Sequence, residues 1–227
     1  TANSNVAIGT ESLDVNTTGA DNTAVGTNAL GANTTAPSNV AVGSGALAAN
    51  TTGADNVGIG ASALDSTTTG GENTAIGHQA GHNLTTGVNN TLLGHEAGTD
   101  AVANVVASNG NIVIGNNYSA SAKIKIDWTV TSDLRDKTEI ESVPHGLNFV
   151  NQITPIKYRF KTSRENDTPS GVTRYGFKAQ EILALEGENP VLVDNGDTDN
   201  LKLTGAYLLP VLVNAIKELK ARIEVLE

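Results

Sequence analysis

The chain has 227 residues, 24 of them glycine, with 4% aromatic and 17% charged side chains; that is too little bulk for the core of a globular enzyme and fits an extended or self-associating protein. Its formal charge of −10 divides into −7 over residues 1–131 and −3 over 132–227, and with no basic stripe in either half nucleic-acid binding is disfavoured. Without Cys there is no disulfide or thiolate chemistry, no run reaches the roughly 20 apolar residues of a membrane span, and a chain without Met that starts inside a repeat reads as a piece of a longer protein.

The first element is a repeat. Asn5-Val-Ala-Ile-Gly9 recurs as Asn22-Thr-Ala-Val-Gly26, Asn39-Val-Ala-Val-Gly43, Asn56-Val-Gly-Ile-Gly60, Asn73-Thr-Ala-Ile-Gly77 and Asn90-Thr-Leu-Leu-Gly94, a constant period of 17. A seventh copy, Asn111-Ile-Val-Ile-Gly115, follows after 21 residues. Ala-Leu or Ala-Gly stands after most of the glycines, and Ser12-Leu13 after the first. Each unit predicts one short β-branched strand followed by a polar turn such as Asn16-Thr-Thr-Gly-Ala-Asp21. Alternation places Val6 and Ile8 on one face and Ala7 on the other. One unit cannot bury its own apolar face, so the units must stack with equivalent side chains in ladders. Small residues at the crowded positions suit three chains packed about an axis. The pattern resembles the β-roll head repeats of trimeric autotransporter adhesins and the shafts of phage tail fibres, over about residues 1–115.

His78 and His95 hold the same position in successive units, one after Gly, and should lie one rung apart. They are the chain's candidates for a metal. No carboxylate or third ligand recurs at a suitable spacing, so an exposed polar ladder is the preferred reading, and neither metal nor cofactor is expected.

Beyond residue 115 the pattern changes. Ser121-Ala-Lys-Ile-Lys-Ile-Asp-Trp-Thr-Val-Thr131 alternates as one good strand. Ser132-Asp-Leu-Arg-Asp-Lys-Thr-Glu-Ile140 follows. A serine hydroxyl needs a base to act as a nucleophile. With His145 the only histidine after the junction, a Ser-His-Asp triad has little material, whereas a lysine made neutral by burial can serve. Five residues of separation allow Ser132 and Lys137 to meet across a tight turn. Asp133, Arg135 and Asp136 either orient this pair or form a solvated ion-pair cluster that holds the turn; the second is preferred.

This stretch is similar to the "S-D-x-R-x-K-x-x-I" signature that opens the intramolecular chaperone domain of endosialidase tailspikes and other phage fibres. Ser132, Asp133, Arg135, Lys137 and Ile140 match every fixed position. Leu147–Phe160 resembles a strand with "I-x-P-x-x-Y/F-x-F", Tyr175–Ile182 resembles "G-F-x-A-Q-E-V", and Leu208–Leu219 resembles the closing helix. The resemblance implies a single-turnover serine peptidase acting in cis, with Ser132 as nucleophile, Lys137 as base, and the cut between Thr131 and Ser132. No enzymatic activity is expected in the shaft: sugar-cleaving spikes pair acids with aromatic platforms, and aromatics are scarce here.

The last element is a helix. Leu209, Leu212, Ile216, Leu219, Ile223 and Leu226 are spaced 3, 4, 3, 4, 3, an a/d seam, with Lys217, Glu218, Lys220, Arg222 and Glu224 assigned to the outer faces. The helix either lies on its own domain or joins a coiled coil, and the coiled coil is preferred. Ile at a with Leu at d leans toward dimers, so the expected trimer comes from the resemblance and the shaft.

Together these readings predict a mainly-β repeat shaft (1–115), β-roll or β-helix-like and trimeric. A junction strand (116–131) and a small α+β chaperone domain (132–227) follow, the domain ending in a coiled-coil helix (207–227). The expected function is host attachment by a trimeric viral tail fibre or spike, binding a cell-surface receptor, glycans included. Its chaperone domain drives trimerisation and is then released in the host cytoplasm, without nucleic-acid partners or membrane insertion. The alternative is a bacterial trimeric surface adhesin or structural protein with a permanent, uncleaved trimerisation domain.

Overall fold

The seven repeat motifs form seven three-residue strands: β1 (Val6–Ile8), β2 (Thr23–Val25), β3 (Val40–Val42), β4 (Val57–Ile59), β5 (Thr74–Ile76), β6 (Thr91–Leu93) and β7 (Ile112–Ile114). They pair in parallel and in chain order, with equivalent residues opposite one another, such as Ala7↔Ala24 and Ala24↔Ala41. The result is a parallel β-solenoid. A computed structural model describes residues 3–99, 104–116, 119, 132–164, 166–196, 198 and 201–226, without the side chains of 162 and 163. The expected junction strand lies outside the described residues, apart from 116 and 119, as does Thr131. The chain divides into two compact units, Thr1–Ser121 and Ala122–Glu227.

Three ladders make the solenoid. The first is asparagine: the backbone N–H groups of Asn22, Asn39, Asn56, Asn73, Asn90 and Asn111 each donate to the side-chain Oδ1 of the asparagine one turn earlier, at 2.8–3.0 Å. Asn22, Asn39, Asn56, Asn73 and Asn90 are buried. Their amide groups satisfy backbone that would otherwise be orphaned inside each turn. The second is threonine: the hydroxyls of Thr17, Thr34, Thr51 and Thr68 donate to the carbonyl of the next threonine in the series, at 2.9–3.3 Å. The third is glycine. Gly9, Gly26, Gly43, Gly60 and Gly77 have φ between 132° and 139°, and a Cβ on any of them would lie 2.3–2.5 Å from the carbonyl oxygen of the next glycine in the column. No side chain fits that contact.

The interior is built from small residues and one leucine column. Ala24, Ala41 and Ala75 at the strand centres are fully buried beside Leu30, Leu47 and Leu64. The next two turns carry Gly81 and Gly98 where the leucines stood, and Leu92 replaces alanine at the centre of β6. A Cβ on Gly81 would lie 2.7 Å from Leu64 Cδ2 and 2.8 Å from Leu92 Cδ1, so the leucine has moved to the other wall of the same space. The small residues thus fill the inside of each single coil instead of the expected close packing about an axis. The strands' flanking residues face outward, and Ile8, Ile59, Ile76, Ile112 and Ile114 are exposed.

The second unit is α+β. A 3₁₀ turn over Leu134–Asp136 precedes α1 (Leu147–Val150) and a hairpin of β8 (Ile156–Ser163) and β9 (Asn166–Gly176). Helix α2 (Ala179–Glu186) follows, then the small pair β10 (Val193–Asp194) and β11 (Lys202–Leu203), and finally α3 (Leu208–Glu224). Strand β9 thus runs through Phe177 into α2, as Tyr175–Ile182 suggested. Phe149, Ile182, Leu192, Val193, Leu208 and Val211 form the core, with Phe177 packed against it. The Glu186 carboxylate accepts from the N–H groups of Val191, Leu192 and Val193 at 2.7–3.1 Å and ties the exit of α2 to β10.

Candidate functional site

The residues after the junction are ordered by one aspartate. Asp133 caps the 3₁₀ turn, its Oδ1 accepting from the Arg135 N–H at 2.9 Å. The turn closes with Asp136 N–H on Asp133 O and Lys137 N–H on Leu134 O, both at 3.2 Å. This folds the chain back so that Lys137 Nζ donates to Ser132 Oγ at 2.8 Å and to Ser132 O at 3.1 Å. The two residues singled out as nucleophile and base are therefore in hydrogen-bond contact.

The charges around them are arranged unevenly. The Arg135 guanidinium forks the Asp133 carboxylate, Nε on Oδ1 at 3.0 Å and Nη2 on Oδ2 at 2.6 Å. These side-chain bonds first, and the backbone N–H of Arg135 second, hold Asp133 below the usual carboxylate range. The same pairing holds Arg135 above its ordinary value. Asp136 joins no ion pair among the described residues, so the solvated cluster read from the sequence reduces to one fork. Residues 132–140 are all exposed in the single chain. Burial is the means by which a lysine becomes neutral enough to act as a base, and here no burial is supplied by the chain itself.

Helix α3 packs one face on its own domain, as the first of its two sequence readings has it, and leaves the heptad seam exposed. Leu208, Val211 and Ala215 are buried against its own domain. On the same side Asn214 Nδ2 donates to His145 O at 2.9 Å, and Glu218 Oε2 accepts from the Leu147 N–H at 2.8 Å, capping α1. The heptad pattern assigns Glu218 to an outer face; it instead pins α1, a role visible only once residues 71 positions apart meet. The seam residues Leu209, Leu212, Ile216, Leu219, Ile223 and Leu226 remain 42–86% exposed. An open apolar groove of about 280 Å³, lined by Val150, Ile153, Pro155, Phe177, Leu208, Leu209 and Leu212 among others, adjoins the seam. Pro210 sits within the first turn, where helix N–H groups have no intrahelical acceptor.

In the solenoid His78 and His95 stack one rung apart, ring centroids 5.1 Å and planes 20° apart. His95 Nδ1 lies 3.5 Å from Glu96, and His82 Nδ1 lies 2.6 Å from Asp65 Oδ1. Among the described residues no group of three or more metal-ligating side chains gathers, and no helix is long and apolar enough to cross a membrane.

Residues 132–192 match the model of a serine-peptidase family described as chaperone of endosialidase. The matched segment begins at Ser132 and contains the turn, the hairpin, α2 and the return to β10. The match supports a chaperone-type domain over this region. No curated protein and no solved structure matches the chain.

Proposed function

We propose, from the endosialidase-type chaperone domain that begins at Ser132, that this chain is the distal portion of a trimeric viral tail fibre or spike that assembles through that domain and then cuts itself between Thr131 and Ser132. The observation that carries the reading is the contact of Lys137 Nζ with Ser132 Oγ at 2.8 Å, at the first residue of the matched segment. Neutral Lys137 takes the hydroxyl proton as Ser132 Oγ attacks the Thr131 carbonyl carbon. The C–N bond breaks, the Ser132 nitrogen leaves as an amine bearing that proton, and Thr131 is left as an ester on Ser132. Water then hydrolyses the ester, freeing the Thr131 carboxylate and restoring the Ser132 hydroxyl. The reaction runs once and in cis, so it needs no substrate pocket.

Assembly supplies what the single chain lacks. Three α3 seams pack together and bury their leucines and isoleucines, worth about 1.5–3 kcal/mol for each side chain fully covered. That contact fixes the register of three solenoids whose identical rungs fix none by themselves. The outward valine and isoleucine columns then close on one another along the shaft. Enclosure by neighbouring chains desolvates Lys137, which favours its neutral form, so cleavage follows correct assembly. Release of the chaperone leaves the shaft kinetically trapped, because the device that set its register has gone. The mature shaft contacts a cell-surface receptor, and His78 and His95 belong to its polar surface without a metal.

Denaturing electrophoresis with intact mass tests this on freshly expressed chain beside Ser132→Ala and Lys137→Ala. Fragments of 131 and 96 residues from the wild type alone support the dyad. A wild type that stays whole while folded and trimeric refutes the cleavage.

A further inference from the structure

Asp133, Asp136 and Glu139 share a short turn with Lys137, yet among the described residues Lys137 enters no ion pair. Among the described residues its amine hydrogen-bonds only to oxygens of Ser132. The carboxylate nearest to Ser132 in the chain, Asp133, is fully engaged: Arg135 supplies its backbone N–H, Nε and Nη2. We propose that Arg135 is a positioning residue for the cleavage, holding the Asp133 carboxylate so that the Lys137 amine is left to Ser132.

The inference rests on the self-cleavage reading and explains one of its requirements. An unpaired carboxylate beside a lysine favours the ammonium form and draws it into an ion pair. An ammonium cannot accept the Ser132 proton. Arg135 removes that competitor while keeping Asp133 in place as the cap of the turn. The guanidinium suits the task because it binds both carboxylate oxygens at once and stays charged; a lysine at position 135 would hold only one. The charged groups that share its stretch of chain are Asp133, Arg135, Asp136 and Glu139, and among the described residues none of these, and no group of another element, forms an ion pair with it.

The test separates this role from plain support of the turn. In a Ser132→Ala background, which keeps the chain whole, ¹³Cε resonances of labelled lysines are titrated and Lys137 is identified by its loss in Lys137→Arg. Arg135→Gln should raise the Lys137 midpoint by about 0.5–1 pH unit, the shift given by a unit charge about 4 Å away in water. Adding Asp133→Asn should return it, since asparagine retains the Oδ1 that caps the turn but carries no charge. With Ser132 restored, Arg135→Gln should slow cleavage about three- to tenfold at neutral pH and displace the rate profile to higher pH by the same amount, and the double variant should recover. An unmoved midpoint in Arg135→Gln, or one that Asp133→Asn fails to reverse, overturns the role of Arg135. A wild type that never cleaves sinks the cleavage reading instead, and the titration still decides what Arg135 does.

Discussion

Replacing Asn56 by alanine tests whether the asparagine ladder holds the solenoid together. Asn56 Oδ1 accepts from the Asn73 N–H at 3.0 Å, and its Nδ2 donates to Gly70 O at 2.9 Å. Both asparagines are fully buried. The substitution therefore strands one buried N–H and one buried carbonyl, each worth about 1–3 kcal/mol when left without a partner. The total is about 4 kcal/mol at mid-range. Asn5 makes the same pair of bonds, to the Asn22 N–H at 2.8 Å and Gly19 O at 2.9 Å, but is only partly buried in the first turn. Water can take its place there, so Asn5→Ala should cost nearer 1 kcal/mol, the net value of a solvated hydrogen bond. Solenoid turns interact with their neighbours alone, so the damage should stay local. Hydrogen exchange by mass spectrometry, on the Ser132→Ala chain, reads it. Amides of β4 and β5 should exchange roughly a thousandfold faster in Asn56→Ala, against about tenfold or less for β1 and β2 in Asn5→Ala. Equal effects at the two sites would refute the claim that burial of the ladder sets its strength.

Gly60→Ala places a Cβ 2.3 Å from Gly77 O at φ +132°, whereas Gly110→Ala meets nothing within 4 Å at φ +69°; the first should force adjacent rungs apart and cost several kcal/mol, the second about 1–2 kcal/mol of left-handed strain, and thermal unfolding that ranks them equally counts against the glycine column. Ile216→Glu alters a side chain that is 65% exposed in the single chain; it should leave the far-UV spectrum of the domain intact and abolish the trimer in sedimentation velocity, while a trimer that persists removes α3 as the assembly seam. Asp133 is held below the ordinary carboxylate value by its bonds from Arg135, so its contribution to the turn is present above about pH 4 and is lost only as the pH falls through the depressed folded value. An NMR titration should therefore find the Asp133 midpoint below about 3.9 and raised toward it by Arg135→Gln, which removes the side-chain bonds but keeps the backbone N–H of residue 135, and any loss of cleavage between about pH 5 and 7 then belongs to another group.

The regions of this chain that could be read from its sequence are those in which local pattern and long-range contact coincide. In a solenoid they always do: the period of 17 is also the distance in sequence between hydrogen-bonded partners, so Val6↔Thr23 and the Asn5–Asn22 bond follow from the alignment of repeats alone. Ser132 and Lys137 were legible for the same reason, since five residues and one turn connect them. What stayed hidden depends on which side of a ladder faces in. The repeat itself does not say whether alanine or valine lines the coil, and the answer comes from volume: the space that Leu47 shares with Gly58, and Leu92 with Gly81, has no room for a β-branched residue. Glu218 was hidden by the same rule, because its partner, the Leu147 N–H, lies across a hairpin and a helix. The exposed seam of α3 then acquires a meaning that the heptad pattern alone did not give it. A helix that spends Leu208, Val211, Ala215 and Glu218 on its own domain has already met the needs of that domain. The apolar seam residues left on its free face are a cost to the monomer in water; the heptad spacing suits them to a further copy of the same seam, and it is the proposed shaft assembly, not the helix itself, that makes the number of copies three.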